Sequence, residues 1–325
     1  MNTFMKAIVY HRYGPPDVLQ FTEIEKPTAG EKEVLIKVRA ASVNPYDFHF
    51  VRGTPYVVHL VAGIRKPKSP RLGADVAGQV EAVGTQVIRF KPGDEVFGVA
   101  RGAFAEYACT SEAGLAAKPR NVTFEQAASA PIAALTALQG LRDKGHIQPG
   151  QKVLVNGAAG GVGTFAVQIA KSFGADVTGV CSTRNLEMVR SIGSDQVIDY
   201  SQQDFTRSGQ RYDLIFDTVG NHSLSACRRV LNSKGILVMA GGSSGRWQMG
   251  LTRAVRALLW SQFSSRKLAG LLAKPNRKDL DTLRDLMEAG KVTPVIDRHY
   301  KLNEVPEAIR YLEEGHARGK VVITL

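Results

Sequence analysis

The stretch NGAAGGVGTF, residues 156–165, holds four glycines and two alanines in ten positions. It follows the apolar run VLVN (153–156) and opens a run in which Val162, Ala166, Ile169 and Phe173 share one helical face. Gly160 and Gly163 stand at the second and third glycine positions of a G-x-G-x-x-G turn, with Ala158 at the first. Such a turn brings backbone N–H groups against a pyrophosphate, and the helix N-terminus behind it favours negative charge. The competing reading is a tight strand–helix turn with no ligand. Here strand, turn, helix and second strand come in order, which favours the dinucleotide.

The end of the second strand distinguishes the nucleotides. Sites that prefer NAD place Asp or Glu there for the ribose hydroxyls. This chain reads VCSTRN, with Ser182, Thr183 and Arg184, and no carboxylate follows before Glu187. Hydroxyls and a guanidinium suit a 2′-phosphate, so the cofactor expected is NADPH.

The elements that must hold this turn are visible in the pattern. Strands are expected at 153–156, 177–181, 196–199, 213–217 and 236–240, separated by helices at 162–173, 185–192 and 222–231. Continuous apolar strands alternating with helices predict a parallel sheet covered on both faces. The first third is different: KAIVYH, VLIKVRAASV, DVAGQVEAVG and DEVFGVA predict short strands bounded by Gly and Pro, with no long helical period. Two helices, ending at Gly290 and Gly315, precede a last strand, KVVITL, which is expected to pair with the β-rich first third.

Bulk properties narrow the class. The chain has 325 residues, enough for two cores. Three cysteines, Cys109, Cys181 and Cys227, give neither a disulfide framework nor a Cys-rich zinc lobe. No secretory leader is visible, and the longest uncharged stretch, between Lys152 and Lys171, is a poor membrane span. A cytoplasmic setting is therefore expected. The net charge is +12, and residues 246–278 carry eight Lys or Arg with no acid. An anionic membrane or a nucleic acid would suit that stretch. The reading preferred is a helix over the active-site cleft with solvated charges, so nucleic acid and peripheral membrane contact are not favoured.

The motifs SVNPYD (42–47), LGADVAGQVEAVG (72–84), KPGDEVFG (91–98), NGAAGGVG (156–163), DTVG (217–220) and GHARGKVVI (315–323) together resemble the medium-chain dehydrogenase/reductase superfamily, in its zinc-free quinone oxidoreductase branch. The closing stretch is similar to bacterial members near the mitochondrial reticulon-interacting oxidoreductase. The resemblance covers essentially the whole length. It implies an α/β chain with a GroES-like β-rich domain (1–123 and 291–325) and a Rossmann domain of doubly wound parallel sheet (124–290). It implies a homodimer as well.

By the same resemblance, Asn44 and Thr136 lie beside the nicotinamide or its ribose. Gly160, Gly161 and Val162 hold the pyrophosphate, and Tyr200 joins Ser182, Thr183 and Arg184 at the adenosine phosphate. Val219, Gly241 and Gly242 line the channel, and His316 and Arg318 reach the cofactor from the returning segment. Zinc-dependent relatives carry a Cys and a Gly-His-Glu where this chain has SVNPYD and GAD; Ala74 replaces the His, so no metal is expected. Without a metal, Asn44 and Tyr46 are the candidate catalytic groups, Tyr46 as a hydrogen-bond donor to a carbonyl oxygen or else as pocket wall. Asp75 is read as structural. The reaction expected is hydride transfer from NADPH to a quinone or an α,β-unsaturated carbonyl. The alternatives are a zinc-free alcohol dehydrogenase acting on simple carbonyls and a nucleotide-sensing nucleic-acid-binding protein.

Overall fold

The computed structural model describes residues 3–240 and 267–325. The expectations for Gly241, Gly242 and most of the basic stretch 246–278 lie outside the described residues. The chain divides into two compact units: residues 1–133, 275–290 and 294–325 form the first, and 134–274 with 291–293 the second.

The first unit is built on a seven-stranded sheet. Its central strand β3 (Glu33–Val43) pairs antiparallel with β4 (Asp75–Val83), and β4 pairs with β5 (Glu95–Val99). β6 (Tyr107–Ser111) pairs with β3, and β7 (Leu115–Ala117) extends the sheet beyond β5. β1 (Phe4–Val9) and β2 (Gln20–Glu25) form a separate hairpin. The last strand, β15 (Lys320–Thr324), lies antiparallel against β3 in the register Val321 to Val43, and β14 (Ile296–Lys301) pairs parallel with β15. The terminal strand thus joins the β-rich first third, as its apolar sequence predicts. Val34, Ile36, Val76, Phe104, Val321 and Ile323 meet in one buried core.

Two helical features of this unit differ from the sequence reading. Residues 45–52 form a helix, α1 (Pro45–Arg52), although no long helical period is visible there. Its start is nevertheless written locally. Pro45 at the first helical position needs no N–H partner, Asp47 accepts the Asn44 N–H at 2.8 Å, and Gly53 closes the helix at φ 62°. A shorter helix, α2 (Val58–Ala62), follows. Past β7 come α3 (Phe124–Ser129), capped by Thr123, and α4 (Pro131–Gln139), within which the division between units falls.

The second unit carries six parallel strands: β8 (Lys152–Asn156), β9 (Asp176–Cys181), β10 (Gln196–Asp199), β11 (Tyr212–Asp217), β12 (Leu231–Met239) and β13 (Lys267–Gly270). Their spatial order is β10-β9-β8-β11-β12-β13, so the order reverses between β8 and β11. That crevice, at the carboxyl ends of the strands, is where a doubly wound sheet binds ligands. α5 (Gly161–Ser172), α6 (Leu186–Ser191) and α7 (Leu224–Arg229) connect the strands within one or two residues of their expected bounds.

The helix α8 (Arg277–Glu288) clusters with the first unit, whereas the sequence division puts it with the second. Its apolar face explains this. Leu280, Leu283 and Met287 are buried, Asn121 donates to the Met287 carbonyl at 2.9 Å, and Arg89 pairs with Asp281. The final helix α9 (Val305–Glu313) buries Val305, Ala308 and Ile309 and stops just before Gly315, at φ 74°.

Candidate functional site

In the second unit, the three glycine positions do three different jobs. Gly157, at φ 87°, makes the sharp turn off β8; a Cβ there would strike the Thr218 hydroxyl. The tight-turn glycine is therefore one residue before Ala158, the position the motif nominates. A Cβ on Gly163 would run into the Gly157 carbonyl, so Gly163 permits close packing of helix on strand. Gly160 is different. Its backbone is extended (φ −81°), and a Cβ would meet only the Gly157 oxygen, at 3.5 Å. Protein packing does not require glycine there. Gly160 caps α5 without a side-chain hydrogen bond, leaving the first-turn N–H groups of Gly161 and Val162 to the helix mouth. A glycine that packing does not require, at a helix N-terminus with no side-chain cap, fits a dinucleotide pyrophosphate.

The end of β9 gains a carboxylate that the sequence reading does not include. Ser182, Thr183 and Arg184 follow Cys181 as expected, and Arg184 is exposed. However, Asp199, at the end of the neighbouring β10, lies beside Cys181 in the sheet register. Its carboxylate accepts from the Thr183 hydroxyl at 2.6 Å and from the Ser201 N–H and hydroxyl at 3.0 and 2.8 Å. The Thr183 hydrogen bond holds the Asp199 carboxyl below its usual range, with the Ser201 bonds adding to it. Thr183 therefore spends its proton on Asp199, and a carboxylate sits close to the hydroxyl set after all. Asn185 reaches back to the Ser182 hydroxyl at 3.1 Å. Tyr200 is exposed, with its N–H fixed on the Cys181 carbonyl.

At the end of β11, Asp217 is buried and organises the loop that carries Val219. It accepts from the Asn156 side chain and from the Val219 and Gly220 N–H groups at 2.8–3.1 Å. In the sequence reading Asp217 has no role, although DTVG (217–220) is among the motifs; its signal was a carboxylate ending an apolar strand three residues before a glycine. Thr136 is half-buried on α4.

The first unit holds a buried polar cluster. Asn44, Asp47, Asp75 and Lys320 are all nearly or wholly removed from solvent. Asp75, first residue of β4, is its hub. One oxygen accepts the Ile132 N–H at 2.9 Å; the other accepts from the Ser42 hydroxyl at 2.7 Å and Asn44 Nδ2 at 2.8 Å, with Lys320 Nζ at 3.5 Å. Lys320, first residue of β15, donates to Asn44 Oδ1 at 2.6 Å and to the Val43 carbonyl at 3.2 Å. Burial lowers the Lys320 pKa from its ordinary value against the pull of Asp75 and Asp47. Asn44 Nδ2 also reaches the Ser42 carbonyl, at 3.3 Å. Both amide hydrogens and the amide oxygen of Asn44 are thus engaged inside the protein. As a candidate catalytic group Asn44 has no spare amide hydrogen to offer a substrate, and it is a fixed part of the cluster.

Asp47 shares this pocket. Burial pushes its carboxyl up to about 7, opposed by the Asn44 N–H, while Asp75 raises it further and Lys320 pulls it down. Its Oδ1 is buried without a hydrogen bond of good geometry. The neighbouring Tyr46 is 39% exposed and stacks on Phe50 with ring centroids 4.0 Å apart. Burial and the Asp47 charge raise the Tyr46 phenol, and Arg101 draws it back. Tyr46 is therefore a neutral donor at physiological pH. His316 and Arg318, in the loop between α9 and β15, are exposed, and the Arg318 N–H is held by Asp297 at 3.0 Å.

The donors at the positions where zinc relatives bind metal do not fit zinc. Asn44 offers an amide oxygen already taken by Lys320 Nζ at 2.6 Å, Ala74 offers nothing, and the Lys320 amine stands where a cation would have to sit. Among the described residues, no group of three or more His, Cys, Asp or Glu side chains is placed to hold a metal ion.

Comparison with known proteins agrees with this architecture. Residues 30–120 match the family model described as alcohol dehydrogenase GroES-like domain, and residues 192–323 the one described as zinc-binding dehydrogenase. The chain is 35% identical to the mouse mitochondrial NAD(P)H oxidoreductase RTN4IP1, over all of this chain and 90% of that protein. It is also 35% identical to the chloroplastic NADPH-dependent alkenal/one oxidoreductase of Arabidopsis thaliana, over 98% of this chain and 79% of that one. The solved quinone oxidoreductase of Coxiella burnetii superposes with a TM-score of 0.87 at 32% identity, covering 99% of each chain. A GroES-like sheet closed by the terminal strand, a reversing six-stranded parallel sheet and these full-length likenesses place the chain in the medium-chain dehydrogenase/reductase superfamily, among its quinone oxidoreductases.

Proposed function

We propose that the protein is an oxidoreductase that uses NADPH to reduce quinones or α,β-unsaturated carbonyls without a metal. The observation that carries this reading is a glycine that protein packing does not require, Gly160, at the start of α5 with no side-chain cap, beside the point where the parallel sheet reverses its strand order. Full-length relatives named as NAD(P)H, quinone and alkenal/one oxidoreductases support the reaction class. When bound, the reduced nicotinamide supplies the hydride. The backbone N–H groups of Gly161 and Val162 hold the pyrophosphate, and Ser182 and Arg184 take the 2′-phosphate. The buried cluster around Asp75 holds α1 in place, and Tyr46 on that helix donates a hydrogen bond to the substrate oxygen as enolate charge develops. Conjugated acceptors suit a site that lacks a Lewis acid, because a quinol or enolate anion is already delocalised.

The test is a panel of quinones, enones, enals and saturated aldehydes, followed by loss of NADPH absorbance before and after exhaustive chelation. Quinones and enones should turn over and chelation should change nothing. Reduction confined to saturated aldehydes would identify an alcohol dehydrogenase instead. Tyr46→Phe should slow enone reduction by about tenfold, below the ~2.7–4 kcal/mol of a fully buried oxyanion donor, and affect quinones less. An unchanged kcat on every acceptor would reduce Tyr46 to pocket wall.

A further inference from the structure

Residues 48–74 contain no acidic residue. Within them α2 and its flanks turn large aliphatic side chains outward: Val57 is 52% exposed, Leu60 73%, Val61 70% and Ile64 76%. Only Val58 and Ala62 of α2 are buried. Isolated exposed aliphatics are ordinary, but four within eight residues gather apolar surface on one short segment. Directly after it come Arg65, Lys66 and Lys68, all exposed and without an ion-pair partner among the described residues.

This surface is held in shape from beneath. The His59 ring nitrogens contact the Gly53 carbonyl at 2.9 Å and the Ile64 carbonyl at 2.7 Å. Tyr13 donates to the Gly63 carbonyl at 2.6 Å, and the Lys68 N–H donates to Ala62 at 2.7 Å. The segment is therefore tied at both ends, and its aliphatic side chains project from a fixed platform.

We propose that this platform docks the protein on an anionic phospholipid surface, the aliphatic side chains entering the acyl boundary and Arg65, Lys66 and Lys68 meeting the headgroup phosphates. Aliphatic tips beside uncompensated cations are the two components of interfacial binding. A second copy of the chain fits less well. A two-fold contact through this patch would bring each set of three cations against its symmetry mate with no acid between them. Nothing in this surface depends on which carbonyl the enzyme reduces.

The experiment is vesicle co-sedimentation of the full chain with pure phosphatidylcholine and with phosphatidylcholine containing about one-third phosphatidylglycerol. Two variants accompany it: Leu60→Ser with Val61→Ser and Ile64→Ser, and Arg65→Gln with Lys66→Gln and Lys68→Gln. The wild type should sediment with the anionic vesicles and stay in solution with neutral ones. Each triple variant should bind at least about tenfold more weakly while keeping its Tm and NADPH titration. The aliphatic variant is the decisive arm, because it keeps every charge of a chain that carries +12. If it binds like the wild type, adsorption is through net charge alone and the proposal fails. It fails equally if the wild type ignores anionic vesicles, or if the aliphatic variant only dissolves an oligomer in size-exclusion chromatography while vesicle binding is unchanged.

Discussion

At the scale of single residues, the cofactor preference turns on two opposed charges. On the function we propose, Arg184 attracts a 2′-phosphate and Asp199, anchored on Thr183, repels it. Arg184→Ala should lose about 1.5–3 kcal/mol of NADPH affinity and little for NADH, whereas Asp199→Asn should widen the preference for NADPH. Titration of both cofactors against both variants checks this; a wild type that binds them equally would remove the claim. Asp199 was illegible in the sequence because it lies 16 residues past Thr183 and arrives by strand pairing, not by proximity along the chain. Asp47 makes a second prediction. With its carboxyl at about 7 in the folded protein against an ordinary 3.8, the folded state holds a proton that the unfolded chain has released between about pH 4 and 7. Stability contributed by the protonated form is complete below about pH 4 and falls as pH rises through 7, by an amount on the order of 4 kcal/mol. Asp47→Asn should flatten that decline. Urea midpoints at pH 5 and pH 8 would show it, and parallel curves for the two proteins would contradict it.

At the scale of elements, the glycine turn separates binding from packing. Gly160→Val should fold with little change in Tm and lose at least about tenfold in NADPH affinity, roughly 1.4 kcal/mol, since its Cβ makes only an ordinary contact, at 3.5 Å, with the Gly157 oxygen. Gly163→Ala should instead lose about 1–3 kcal/mol of stability, because its Cβ collides with backbone that has nowhere to move. Reversal of those two phenotypes would misplace the pyrophosphate. The parallel sheet was legible because strands buried on both faces read as unbroken Val, Ile and Leu runs. α1 was not, because it spans eight residues and buries only Asp47 and Val51, too few for a period. Its Asn-Pro start and Gly53 stop were the available signals. α8 was read correctly as a helix but allotted to the other unit, since amphipathicity tells that a face is buried and not against what.

At the scale of the whole molecule, the terminal strand supplies the only ammonium found in the Asp75 cluster among the described residues. Lys320→Met should cost about 3–5 kcal/mol, since it strands buried carboxylate and amide oxygens without their cation. Adding Asp75→Asn should recover part of that loss, and a strictly additive double mutant would show that the two groups do not interact. Sequence alone could not pair them: KVVITL reads as a strand seeking a partner, but its partner's side chains are fixed by register. That register has a consequence for biosynthesis. The Lys320 contact to Val43 spans 277 residues, and the entire second unit lies between. At ~5–20 residues per second, a ribosome needs roughly 15–55 s to deliver that lysine after β3 has been made. For much of that interval the nascent first unit has the Ala40–Val43 stretch of one β3 edge unpaired and Asp75 without its counter-ion. The second unit, contiguous in its main span, is free to fold first, and the protein made earliest is the part completed last.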